Sequence, residues 1–389
     1  MATQFPIGRF EHLQTPFYYY DIDLLQQTLG NIAEQQQKYG FHVHFAVKAN
    51  ANPRILSEIQ RYGLGIDCVS GPEIQRAIDT GFDARKIVFA GVGKSDDEIT
   101  LALRTNICCL NVESRPELEI INEIAGKMGK VADVALRINP NVNAHTHHYI
   151  TTGLEENKFG IGLWEVEQIA ELTRTLPNIR LVGLHFHIGS QITELEVFQQ
   201  LCSRINELQK WFEANHYEIR IINVGGGLGI DYEHPDAAAI PDFEGYFATF
   251  HKFLELRDGQ EVHFELGRAV VAQCGTLISR VLYVKEGQKK RFAIIDAGMN
   301  DLIRPALYHA YHKIENISVD IESNNAPITD KFDVVGPVCE SSDCFGMEVT
   351  LPKVTTRGNF IAIRSAGAYG EVMASHYNLR PLAEAIFSR

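Results

Sequence analysis

His42-Val43-His44-Phe45-Ala46-Val47-Lys48-Ala49-Asn50 reads as a short apolar strand that stops at a lysine, and Ala51-Asn52-Pro53 then opens a helix. A lysine at the inward end of a buried strand is costly unless something there uses it. One use is nucleophilic, because a desolvated amine captures an aldehyde as a Schiff base. The plainer alternative is a lysine reaching out of a strand end into solvent. The neighbouring segments bear on that choice.

Working outward, apolar strand patterns recur at residues 42–47, 64–69, 87–91, 107–112, 131–138, 180–188, 220–224 and 261–266. Helical patterns such as 53–62, 73–80, 116–128 and 164–175 separate most of them. This rhythm predicts a (β/α)8 TIM-like barrel, with a doubly wound open sheet as the alternative. Thr15-Pro16-Phe17-Tyr18-Tyr19-Tyr20 reads as a further strand, and residues 21–37 as an amphipathic helix. After Arg268 the texture changes to strand patterns at 274–284, 291–297, 331–338, 347–351 and 359–364, with a polar connection at 322–327. The fold class is therefore α/β: a barrel over residues 25–270, and a β-rich sandwich or barrel domain built from residues 1–24 and 271–389.

Composition narrows the function. A chain of 389 residues with 45% hydrophobic and 22% charged residues is ordinary for a globular protein with a large core. A net charge of −13 argues against nucleic acid or an anionic membrane as partner. The seven cysteines are odd in number and lie mostly in apolar runs, which suits reduced thiols in a cytoplasm better than a disulfide framework. The N-terminal residues lack a signal-peptide pattern, and no window approaches a membrane span.

Barrel chemistry sits where strands end. Those ends carry Lys48, Asp67 with Ser70, Gly91, Asn111 with Glu113, Arg137, His187 with Ser190, the three glycines Gly225, Gly226 and Gly227, and Glu265 with Arg268. The glycines bare backbone N–H groups in a way that suits an anion, and the loops after strands 7 and 8 of barrels often hold phosphate. A tight turn alone is the alternative. They are no dinucleotide fingerprint, since Ile230 stands where that spacing needs glycine. A carboxylate such as Glu265 facing a pyridine nitrogen would keep it protonated and make the ring a strong electron sink; a surface Glu265–Arg268 pair is the plainer reading. His42-x-His44 and His185-x-His187 also match the His-x-His pattern of metal-dependent barrel hydrolases. Period 2 puts both strand-1 histidines below Lys48, and His145-Thr146-His147-His148 lacks a carboxylate cluster, so no metal is expected.

These motifs resemble one family, the pyridoxal-phosphate decarboxylases of the alanine-racemase fold. Phe45-Ala46-Val47-Lys48 resembles its lysine motif, and His185-Phe186-His187-Ile188-Gly189-Ser190-Gln191 its sixth-strand motif. Gly225, Gly226 and Gly227 resemble its phosphate loop, and Glu265-Leu266-Gly267-Arg268 its Glu-Pro-Gly-Arg motif with leucine for proline. Pro72 stands where the family often has a second glycine. Cys339-Glu340-Ser341-Ser342-Asp343 resembles the element brought from a second subunit, and Ala366-Gly367-Ala368-Tyr369 the segment with the last phosphate-site tyrosine. Within the family, Asn157-Lys158-Phe159-Gly160-Ile161, Gly189-Ser190-Gln191-Ile192, Arg304-Pro305-Ala306-Leu307-Tyr308 and Cys339-Glu340-Ser341 are most similar to the branch acting on diaminopimelate.

The resemblance implies pyridoxal 5'-phosphate on Lys48, with His187 stacked on its ring, Glu265 on its nitrogen, and Ser190, Gly225, Gly226, Gly227, Gly267, Arg268 and Tyr369 around its phosphate. It implies meso-diaminopimelate as substrate, held by Arg268, Arg304, Tyr308, Glu340 and Tyr369. Cys339 would return a proton, and a homodimer would share its sites. Ornithine, arginine or a siderophore precursor is the alternative substrate; a racemase is disfavoured, because Glu265 makes a stronger sink than racemisation wants.

Overall fold

The computed structural model describes residues 5–142, 158–319 and 328–389, and the chain divides into two compact units. The 322–327 connection and His145, His147 and His148 lie outside the described residues.

One unit comprises residues 28–229 and 242–267. Its strands are β2 (His42–Ala46), β3 (Gly65–Cys68), β4 (Ile87–Phe89), β5 (Cys109–Val112), β6 (Ala132–Arg137), β7 (Ile179–His185), β8 (Ile221–Asn223) and β9 (Glu261–Leu266), following β1 (Phe17–Tyr20) of the other unit. All eight pair in parallel as one closed ring, which excludes the open doubly wound sheet. β2 and β9 close it, with His42 opposite His263 and His44 opposite Glu265.

The helices start where the sequence supplies caps. Asn52, Ser70, Ser95 and Ser114 accept backbone N–H bonds at the heads of Pro53–Arg61, Gly71–Asp79, Asp96–Thr105 and Arg115–Lys127, each worth about 1 kcal/mol. Pro72 falls in the first turn of its helix, where a missing N–H costs nothing. Around the outside of β9, Phe264 is ringed by Phe41, Tyr246, Phe247 and Phe250 at centroid distances of 5.2, 5.6, 4.8 and 5.0 Å. That cluster ties the helix Phe243–Phe253 to the closing strand.

The other unit comprises residues 1–27, 230–241 and 268–389. It holds β10 (Gly275–Glu286), β11 (Arg291–Ile295), β12 (Ile314–Asn316), β13 (Thr329–Val335), β14 (Cys344–Pro352), β15 (Phe360–Ile363) and β16 (Glu384–Phe387). The sheet runs β12-β15-β10-β11-β13-β14, and β1 joins it antiparallel to β10 and parallel to β16. Phe10, Phe17, Tyr19, Ile278, Phe360 and Ala362 form one of its buried clusters.

Residues 230–241 fall in this strand-rich unit although the sequence reading runs the barrel unbroken from 25 to 270. Long-range bonds hold them there: Asp236 pairs with Arg364 at 2.7 Å, and Arg268 donates to the Tyr232 hydroxyl at 2.7 Å. Among the described residues no helix is long and apolar enough to cross a membrane. All seven cysteines are free thiols.

Candidate active site

β2 ends at Ala46, and a single 3-10 turn, Val47–Ala49, follows immediately. The turn lifts Lys48 past the ring, so its side chain keeps 41% exposure while its Nζ lies 3.7 Å from Oδ2 of Asp67 on β3. Asp67 is fully buried, and neither of its carboxyl oxygens has a hydrogen-bond partner among the described residues. Burial and the nearby Glu265 carboxylate raise its pKa well above the usual range, with the Lys48 ammonium pulling the other way.

Glu265 projects inward from β9 and is met from three other strands. Asn111 on β5 and Asn223 on β8 donate to its Oε1 at 3.1 and 2.8 Å, and His185 Nε2 on β7 lies 3.1 Å from its Oε2. Burial alone would raise this carboxyl. The His185 imidazole and its hydrogen bond, followed by the Lys48 ammonium, outweigh burial and hold Glu265 below the ordinary carboxylate range. An ionised carboxylate thus sits at the inner end of β9.

Beyond β7, desolvation and the cations of Lys48 and Arg137 push the His187 imidazole well below its usual pKa. Its Nδ1 accepts from the Gly226 N–H at 3.4 Å. Ser190 is half-buried in the same connection. The three glycines are sterically required: a Cβ on Gly226 would lie 1.8 Å from the Glu265 carbonyl oxygen, and one on Gly225 2.2 Å from that of Phe186. Gly225 and Gly227 also adopt φ of +70° and +109°. Two of the loop's N–H groups are engaged within the chain, Gly225 with Asn223 Oδ1 at 2.9 Å and Gly226 with His187, and the packing of the strand ends is what demands glycine.

Arg137 closes β6 with a buried bond to Glu113 at 2.7 Å. Glu113 in turn accepts from the Gly91 and Gly160 N–H groups at 2.8 and 3.1 Å, tying three strand-end loops together. Gly267 follows β9, half-buried.

The strand-rich unit carries a second constellation. Arg268 opens the short helix Arg268–Val271, and Arg304 opens Arg304–Tyr308. Both are buried, at 7% and 6% exposure. The Arg268 guanidinium lies 5.0 Å from the Tyr369 ring centroid, and Arg304 lies 4.9 Å from that of Tyr232. Arg304 Nη1 donates to His312 Nε2 at 2.8 Å, and His312 Nδ1 donates to the Arg364 carbonyl at 2.8 Å. Burial lowers His312 to about 3, so it stays neutral and accepts from the arginine. Tyr308 is half-buried and electrostatically linked to Arg268.

Cys339 and Glu340 are exposed on a loop pinned from behind. Asp343 accepts from the Val338 and Met299 N–H groups, both at 2.7 Å, and the Cys339 N–H donates to Asn378 at 2.9 Å.

Residues 25–272 match the pyridoxal-binding domain of the pyridoxal-dependent decarboxylases. A diaminopimelate decarboxylase of Bacteroides thetaiotaomicron is 58% identical over 97% of this chain and 96% of its own. The chain belongs to the diaminopimelate decarboxylase family. Solved family structures are superposable: the Helicobacter pylori enzyme complexed with L-lysine has a TM-score of 0.88 at 41% identity, covering 98% of this chain and 94% of that one. The M. jannaschii enzyme, also in complex with L-lysine, has a TM-score of 0.87 at 35% identity, covering 98% and 89%.

In the barrel unit the structure brings Lys48, His187, Gly226 and Glu265 of the sequence-derived set to one end of the ring. In the strand-rich unit it gathers Arg268, Arg304, Tyr308 and Tyr369. Reading the sequence assigned no role to His185, Asn223, Tyr232 or His312. Period 2 signals the first two, which stand two residues before His187 and Gly225 and so point inward. Tyr232 and His312 carry no local signal.

Proposed function

We propose that this protein is a pyridoxal-phosphate-dependent carboxy-lyase that converts meso-2,6-diaminopimelate to L-lysine and CO2, the last step of lysine biosynthesis. The observation carrying the reading is Glu265, a buried carboxylate kept ionised by His185 at the end of the ring where Lys48 also stands. Pyridoxal phosphate, when bound, supplies the electron sink for the pair released as the carboxylate leaves. The residues suit that group. Lys48 offers a reachable amine beside a buried carboxyl that has no hydrogen-bond partner among the described residues, and the glycine loop carries no Cβ to keep a ligand off its backbone. Glu265 would hold a proton on the pyridine nitrogen, His187 would cover the ring, and Gly225, Gly226, Gly227, Ser190, Gly267, Arg268 and Tyr369 would receive the phosphate.

The substrate's distal end asks for an anion site, and Arg304 supports one, since among the described residues it lies against His312 and Tyr232, neither of them a carboxylate. With Arg268, Tyr308 and Tyr369 it would grip the distal carboxylate, and Glu340 the distal ammonium. Ornithine lacks that carboxylate and would leave a buried guanidinium unanswered. Cys339 would protonate the carbanion at Cα. Its exposure on a pinned loop supports delivery to the partner's site in a homodimer. Seven free thiols support a reducing, cytoplasmic setting.

The test is incubation of the purified holoenzyme with meso-diaminopimelate, ornithine, arginine and lysine, following CO2 and product. L-lysine from diaminopimelate, with little turnover of the other three, is expected. Comparable turnover of ornithine or arginine would overturn the substrate assignment.

A further inference from the structure

At the opposite end of the ring from Lys48, the strands begin around a cleft of about 690 Å3 lined by His42, His44, Glu261 and His263 among others. His42 stands on β2; Glu261 and His263 stand on β9, two residues apart and so on one face. β2 and β9 are the strands that close the barrel, with His42 directly across from His263. One ligand-type atom from each of His42, Glu261 and His263 lies within 4.8 Å of the others.

The hydrogen-bond chain behind these side chains dictates what His263 shows to the cleft. The Lys86 carbonyl can only accept, so His44 Nδ1, 3.0 Å away, carries the hydrogen. His44 is buried, and with its Nδ1–H on that carbonyl its Nε2 accepts from His263 Nδ1 at 2.9 Å. That leaves His263 Nε2 turned toward the cleft, where the Glu261 carboxylate lies 3.3 Å away. Either a proton on Nε2 or a metal ion can bridge the two groups, and His42 places a second imidazole beside them. Gly65 preserves the relay, because a Cβ there would lie 2.4 Å from His44 Nδ1.

We propose that His42, Glu261 and His263 form a binding site for a transition-metal dication of the Zn2+ type, clamping the seam at which the barrel closes. Two imidazoles and one carboxylate, with water completing a tetrahedron, are ligands such ions accept. The Lys86 C=O···His44···His263 relay supplies the outer hydrogen bonding that fixes the tautomer and aim of a liganding histidine. Nearby cations are turned elsewhere: Lys86 Nζ donates to the Gly63 carbonyl at 3.0 Å, and Arg180 Nη2 to Asp133 at 2.7 Å. Arg220 is the cation a metal has to outbid for Glu261.

The experiment is Zn2+ titration of chelator-treated holoenzyme by calorimetry, wild type against His42→Ala, Glu261→Gln and the double variant. His42 is exposed and Glu261 partly so, which lets these variants fold. Uptake by Cys339 or by His145, His147 and His148 is common to all four proteins and cancels. Wild type is expected to bind one more equivalent per chain than the double variant, with each single substitution weakening that equivalent at least about tenfold. Saturating Zn2+ should raise the thermal midpoint of wild type more than that of the double variant. Superimposable isotherms, or an equal midpoint response in wild type and double variant, would overturn the site. Neither readout involves decarboxylation, so either result leaves the proposed activity untouched.

Discussion

The Lys48 ammonium lies 3.7 Å from Oδ2 of Asp67, an ion pair with one member half in solvent and the other wholly buried. A buried carboxyl whose oxygens accept no hydrogen bond among the described residues is expensive to ionise, and the Lys48 cation beside it offsets part of that cost. Lys48→Ala should therefore lose both the pyridoxyl group that borohydride fixes and all turnover. Peptide mapping after reduction is the check. Label on another lysine would refute the assignment.

Glu265 is charged because its neighbours make it so. Glu265→Gln keeps the shape and removes the charge, and should lower kcat by about 100- to 1,000-fold, the scale for losing one preorganised electrostatic group. Pyridoxal absorbance should persist. A variant with wild-type kcat would show that the carboxylate plays no part in the chemistry.

Arg304 is aimed by His312 across a 2.8 Å bond. Arg304→Ala should raise the barrier for diaminopimelate by about 2–4 kcal/mol through loss of a charge-assisted bond to a desolvated carboxylate. The change in kcat/KM measures it, and cofactor absorbance should not move.

His312 also gives a pH signature. Its folded pKa of about 3 lies below the ordinary histidine value. Its contribution to stability is therefore complete above about pH 6.5 and is lost as pH falls toward 3. Between pH 7 and pH 5 the loss from this one group is about 2 kcal/mol. Urea unfolding of wild type and His312→Gln at both pH values should show that difference in the wild type alone; parallel losses would mean that His312 is solvated.

If Cys339 and Glu340 serve the partner's site, Lys48→Ala and Cys339→Ala homodimers are each nearly inactive, and mixing restores activity. Random exchange makes about half the dimers mixed, with one doubly damaged and one intact site each, so roughly a quarter of all sites recover. Activity that stays at the homodimer level while mass spectrometry shows mixed dimers would mean that each chain completes its own site.

By itself the sequence determined the barrel, the strand-rich unit, the lysine turn and the glycine loop, because these are local. A period of 2 or 3.6, a capping serine or three adjacent glycines is readable within ten residues. The short strands β12 and β16 escaped; β4 and β8 are as short, but the alternation with helices marked their places and nothing of the kind marks these two. Only the tertiary structure decided what surrounds each charge. Glu265 is held by Asn111, His185 and Asn223 from sequence separations of 154, 80 and 42 residues. Residues 230–241 join the strand-rich unit through Asp236 and Arg364, 128 residues apart. Likewise His42 meets His263 only because the ring closes. A hydrogen bond between distant strands leaves no periodic trace along the chain, and the fold alone brings its two ends together.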